Sequence, residues 1–157
     1  MSTGHEIAVS LRVAYLSMHR QTEASLAGVG ITADQFVLLN ALADTDGIMQ
    51  QELVRRASSD PNTIRTMLLL LERRGLVERR RHPTDGRARL VTLTATGRTT
   101  HERAWAALRP LQARMLAQLP GDEAAILIGL LTRMASALAP ADKRRARRVT
   151  SPARQED

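Results

Sequence analysis

Residues 79–94, RRRHPTDGRARLVTLT, set five arginines around one Asp-Gly pair and then alternate apolar with polar residues. Arginine keeps its charge in any protein environment and offers a planar fork of donors. The chemistry open to this cluster is therefore anion recognition, phosphate above all, and not bond making. Groups that make bonds are missing or scattered. There is no cysteine, which removes thiolate metal sites, thiol nucleophiles and thiol redox sensing. His5, His19, His82 and His101 lack metal-motif spacing, and no Gly-rich phosphate loop, nucleophile elbow or paired-carboxylate motif occurs. Neither an enzyme, a metal site nor a cofactor is expected.

The charge pattern points the same way. The 157 residues carry a net charge of +7, distributed as −3 over 1–51, +6 over 52–103, +1 over 104–139 and +3 over 140–157. A coding bias explains why arginine outnumbers lysine 22 to 1, but it does not explain the clustering. A positive island in the middle third implies a polyanionic partner. No apolar run reaches the 18 or more residues of a membrane span, and the N-terminus lacks a signal peptide's layout. A cytoplasmic protein without a membrane partner is expected. Tyr15, Phe36 and Trp105 are the only aromatics, so aliphatic side chains must fill the core.

The elements that position the arginines follow from periodicity and caps. Ile7, Leu11, Tyr15 and Met18 share one face of a helix over about Glu6–Ser25. Thr32 and Gln35 have capping-box spacing, with Ile31 and Phe36 placed as a hydrophobic staple, for a second helix ending at Ala43. A short helix covers about Gln50–Ala57, with Leu53 and Val54 inward and Met49 as a poor cap. Asp60 caps the clearest helix, Pro61 suits its first position, and Gly75 ends it. Its fifteen residues span about 22 Å, a useful length in a DNA groove. LVERRR and RLVTLT then form a β-hairpin about Asp85-Gly86. Val77, Leu90, Val91 and Leu93 can tether that hairpin to the core. Thr94 caps a long helix over about Ala95–Leu119, and a last helix runs from about Asp122 to Leu138.

This order makes the fold mainly α with a small β-hairpin wing: a winged helix-turn-helix with additional helices at both ends. In such a module the capped helix enters the major groove and the wing reaches toward the minor groove. On a helical wheel Ile64, Met67, Leu68 and Leu71 face the core, while Asn62, Arg65, Thr66 and Arg73 face away. Arginine suits guanine O6/N7 and asparagine suits adenine N6/N7. The alternative for that face is plain solvation. Leu69 lies in its middle and has no settled role.

The segment LLERRGLVERRRHPTDGRARLVTLTATGR, residues 70–98, resembles the MarR family of bacterial transcriptional regulators, through LERRGLV, the DGR of the wing, and LT with Gly97 shortly after. The resemblance implies a homodimer held by its terminal helices and bound to a pseudo-palindromic operator, in many members released by a small ligand. It implies one MarR-like domain over 1–139, with a DNA-binding lobe at about 30–98 and dimerisation helices at about 6–27 and 95–139. Residues 140–157 form a basic tail. It makes Asn62, Arg65, Thr66 and Arg73 DNA contacts on the recognition helix. Arg81, Asp85, Arg87 and Arg89 are the wing's, with Arg87 in the minor groove and Asp85 holding the turn. Double-stranded DNA and a second copy of the chain are the expected partners, and repression the expected action. Tyr15, His19 and Phe36 are either packing residues or the site of a small aromatic acid. A non-specific nucleic-acid-binding or chromosome-organising protein is the alternative function, and an interaction module that no longer binds DNA is another.

Overall fold

The computed structural model describes residues 2–45, 47–86 and 89–139. They fall into two compact units that part between Gln112 and Ala113. The first unit opens with helix α1 (Thr3–Leu26), closed when the Leu26 carbonyl accepts the Val29 and Gly30 amides. Helix α2 (Ala33–Ala43) starts on the full capping box of Thr32 and Gln35. Glu23 of α1 adds a third cap by accepting the Ala33 amide at 2.8 Å, which ties α1 to the start of α2.

A strand absent from the sequence reading follows. Ile48–Met49 (β1) pairs with β3 (Arg89–Leu93), and β3 pairs in turn with β2 (Val77–Arg81). The expected β2–β3 hairpin is present, and β1 adds a third strand to it, giving an antiparallel sheet in the order β1-β3-β2. Two residues are too few to show alternation. Gly47 permits the pairing: at φ +133°, a Cβ there would lie 2.8 Å from Thr92 Cγ2.

Met49 supplies no side-chain cap to helix α3 (Gln50–Arg56), as its chemistry predicts. Helix α4 (Pro61–Arg73) begins on Asp60, which accepts the Asn62 and Thr63 amides at 3.0 Å each. The core is aliphatic: Leu38, Leu39 and Leu42 of α2, Leu53 of α3, and Ile64, Leu68 and Leu71 of α4 are sealed from water. Met67 and Phe36 lie half-buried against it.

A compact knot joins α4 to the wing and to helix α5 (Ala95–Leu116). Gly75, at φ +67°, turns the chain out of α4. Thr94 Oγ1 donates to the Gly75 carbonyl at 2.6 Å and accepts the Gly97 amide at 3.0 Å. The Leu76 carbonyl accepts the Thr94 amide at 3.1 Å. A Cβ on Gly97 would lie 1.9 Å from that carbonyl oxygen, so α5 meets the chain backbone against backbone. Helix α5 stops at Leu116, short of the expected Leu119, because the Gln118 and Leu119 amides bond back only three residues and tighten the turn. In the second unit, helix α6 (Glu123–Leu138) buries no residue, and Ile126, Leu127, Ile128, Leu130 and Leu131 are exposed.

Candidate nucleic-acid interface

Burial divides α4 into two faces. Ile64, Leu68 and Leu71 are inside, while Asn62, Arg65, Thr66 and Arg73 are exposed together on the opposite side. Asp60 is held below the usual carboxylate range by the Thr63 hydroxyl first and by the Thr63 and Asn62 amides after it. It therefore stays ionised, its charge against the positive end of the helix dipole.

Strand alternation decides where the wing's arginines go. Val77, Arg79 and Arg81 of β2 share one face with their partners Leu93, Val91 and Arg89 of β3. The root of that face is apolar: Val77, Val91 and Leu93 are buried and dock on the lobe. Arg79, the next residue along, turns to Glu72 of α4 at 3.6 Å. Its place two residues beyond buried Val77 is the sequence signal for this contact. Arg81 and Arg89 come last, exposed and directly opposite each other in register. Asp85 lies in the exposed turn, where His82 Nδ1 accepts the Thr84 and Asp85 amides at 3.3 and 3.2 Å. Arg87 lies outside the described residues, as do residues 140–157.

Carboxylates neutralise part of the positive island. Glu52 takes both Arg55 and Arg56, whose guanidinium groups hold its carboxyl below the usual range, the Arg56 hydrogen bond most of all. Glu78 takes Arg80. Among the described residues, Arg65, Arg73, Arg81 and Arg89 pair with no carboxylate. Four cations without counter-ions, two on a helix face and two beyond the apolar root of the wing, form an arrangement able to bind a polyanion.

The three residues considered for a small ligand separate into two groups. Tyr15 and His19 meet at a ring-centroid distance of 5.7 Å, and His19 Nε2 lies 4.0 Å from both Glu23 and Asp34 carboxylates. Phe36 instead stacks on His101 at 5.9 Å and meets Trp105 edge-on at 5.6 Å. Asn40 joins this second group, its Oδ1 lying 3.1 Å from both Trp105 Nε1 and His101 Nε2. No periodic pattern flags the contacts of Asn40 with His101 and Trp105, which link residues more than 60 positions apart. Among the described residues no group of His, Asp or Glu side chains is placed to hold a metal, and no helix is long and apolar enough to cross a membrane.

The MarR family sequence pattern matches residues 31–88. The HTH-type transcriptional repressor Rv2887 of Mycobacterium tuberculosis is 38% identical over 103 residues, which are 66% of this chain and 74% of that protein. The transcriptional repressor CouR, solved bound to a 23-mer DNA duplex, superposes with a TM-score of 0.74 at 30% identity, covering 80% of this chain and 89% of that one. The PcaV transcriptional regulator of Streptomyces coelicolor, solved with its natural ligand, superposes with a TM-score of 0.70 at 30% identity, covering 88% and 95%.

Proposed function

The chain belongs to the MarR family of transcriptional regulators, and we propose that it is a repressor that binds a pseudo-palindromic operator as a homodimer. The observation that carries this reading is the set of exposed cations that pair with no carboxylate among the described residues, Arg65 and Arg73 on α4 with Arg81 and Arg89 on the wing. In it α4 lies in the major groove, where Asn62, Arg65, Thr66 and Arg73 meet base edges and phosphates. The wing follows the backbone toward the minor groove, which Arg87 would enter while Asp85 holds the turn.

The dimer rests on apolar surface that one chain leaves in water. Ile7, Leu11, Tyr15 and Met18 of α1 are exposed by 37–54%, and α6 exposes Ile128 by 65% and Ile126 by 58%. Apolar area on this scale marks an association surface. Two-fold symmetry would set the two α4 helices about 34–36 Å apart, one turn of DNA. Selection of bound DNA from a random pool tests both points. A palindromic consensus preferred by about 10³ or more over bulk DNA supports the operator reading. Enrichment of no sequence would establish non-specific binding instead, and a folded monomer at micromolar concentration in sedimentation equilibrium would refute the dimer.

A small aromatic acid is the proposed releasing ligand. Tyr15 and His19 offer a hydroxyl and a ring side by side, and Phe36, in its separate cluster, offers a second apolar wall. Glu23 and Asp34 weigh against an anion on the imidazole itself, so Arg12 or Arg20 would take the acid group. Titration of aromatic acids against the operator complex, repeated with Tyr15→Phe, tests this: release untouched by the substitution places the sensor elsewhere.

A further inference from the structure

We propose that Leu69 reads a thymine C5-methyl group in the operator, an inference that rests on the operator reading above. Leu69 is 39% exposed, although its helix has a complete apolar face of its own in Ile64, Leu68 and Leu71. It stands instead on the outward face, with Arg65 four residues before it, Arg73 four residues after it, and Thr66 three before. Residues three and four apart are neighbours on a helix surface. Leu69 is thus an apolar patch set between two arginines that pair with no described carboxylate. The charge on both sides decides what covers it. A protein surface bringing apolar area to this spot would bury two unpaired guanidinium groups, whereas a DNA groove supplies phosphates and acceptor edges for both. Within the major groove the apolar feature of a base pair is the thymine methyl. Four residues of helix rise about 6 Å, close to the rise of two base pairs, so the thymine lies within about two pairs of the base that Arg65 reads. Leu70 is also exposed but lies to the flank of this face, outside the Arg65–Arg73 row.

The test replaces single thymines of the selected operator by deoxyuridine, which removes the methyl and leaves the pairing edge intact. For the unmodified protein, one position per half-site should lose about fourfold in affinity, the worth of one methylene-sized group withdrawn from water. Leu69→Ala should bind the thymine and uracil operators equally, and Leu69→Met, which keeps an apolar side chain there, should retain the discrimination. Both substitutions keep helix propensity at an exposed position, so the folded protein remains testable. A palindrome whose thymines all tolerate uracil overturns the role of Leu69 alone, as does a uracil penalty undiminished in Leu69→Ala. Recovery of no consensus would overturn the operator reading, and this inference with it.

Discussion

Arg81 and Arg89 provide the sharpest test, because stability and binding should respond with opposite sign. They face each other across β2 and β3, exposed and without a described carboxylate. Like charges directly opposite on a sheet are destabilising, and cross-strand pairs of this kind are worth roughly 0.2–1 kcal/mol. Arg81→Ala alone should remove the repulsion and raise the melting temperature by up to about 4 °C in a chain of this size. Arg89→Ala should do the same, and the double substitution should add little, since either change relieves the whole repulsion. DNA binding should behave otherwise. Each arginine on a phosphate contributes about 0.9 to the slope of log affinity against log salt. In a homodimer each substitution removes two such contacts, one per half-site, so it should cost about 12-fold more at 50 mM than at 200 mM salt, and the slope changes of the two substitutions should add. Melts at fixed protein concentration and anisotropy titrations at several salt concentrations measure both quantities. Arg79→Ala serves as the contrast: Arg79 is bound to Glu72, so its loss should leave the salt slope unchanged. Lower stability for both Arg81→Ala and Arg89→Ala, with an unchanged slope, would mean that the fold itself employs these charges, and the phosphate assignment would be wrong.

Arg65→Ala should cost about 1–3 kcal/mol on the operator and relax preference at one base pair per half-site, read by repeating the selection; uniform weakening on all sequences would make Arg65 a phosphate contact. Gly97→Ala should destabilise by at least about 1–3 kcal/mol in chemical denaturation, because the new Cβ meets the Leu76 carbonyl, which cannot yield without moving the backbone. Burial holds His101 below the ordinary histidine value of 6.5 against the opposing pull of Asp44 and Glu102. Below about pH 6.5 the unfolded chain thus binds a proton that the folded chain refuses, so stability present above that pH falls as the solution is acidified. His101→Gln should flatten this part of the stability–pH profile measured by melts between pH 7.5 and 5.5.

The sequence made legible whatever a short stretch of chain decides by itself. The caps of Thr32 on Gln35, Asp60 on Asn62 and Thr63, and Thr94 on Gly97 all close within three residues, Gly75 turns the chain locally, and each sits where its chemistry predicts. The two faces of α4 were equally readable, since a period of 3.6 needs no knowledge of the partner. What escaped depends on chain segments far apart. β1 exists because Ile48 pairs with Val91, a decision two residues cannot announce. Phe36 lies near Tyr15 and His19 in sequence, yet its ring meets His101 and Trp105 on α5. Arg79 looked like one more wing cation until strand alternation and Glu72 placed it against α4. The resemblance to the MarR family rests on residues 70–98, a stretch in which the end of α4, both strands of the hairpin and the Thr94 cap follow one another directly.

The junction between α4 and the wing also limits how such a regulator can be switched. The Gly75 and Leu76 carbonyls are both bonded to Thr94, Glu72 holds Arg79, and Gly97 packs on backbone. Folding the wing away from the recognition helix would break all of these at once. In a dimer the softer coordinate lies between the two lobes, where both α4 helices must meet grooves about 34–36 Å apart. A ligand that weakens operator binding a hundredfold must then prefer the mis-spaced arrangement by about 2.8 kcal/mol, and equal affinity for the two arrangements would release nothing. Linkage requires operator DNA to weaken that ligand by the same hundredfold. Within one lobe, however, the distance between Arg65 and Arg81 should stay the same whether the ligand is bound or not.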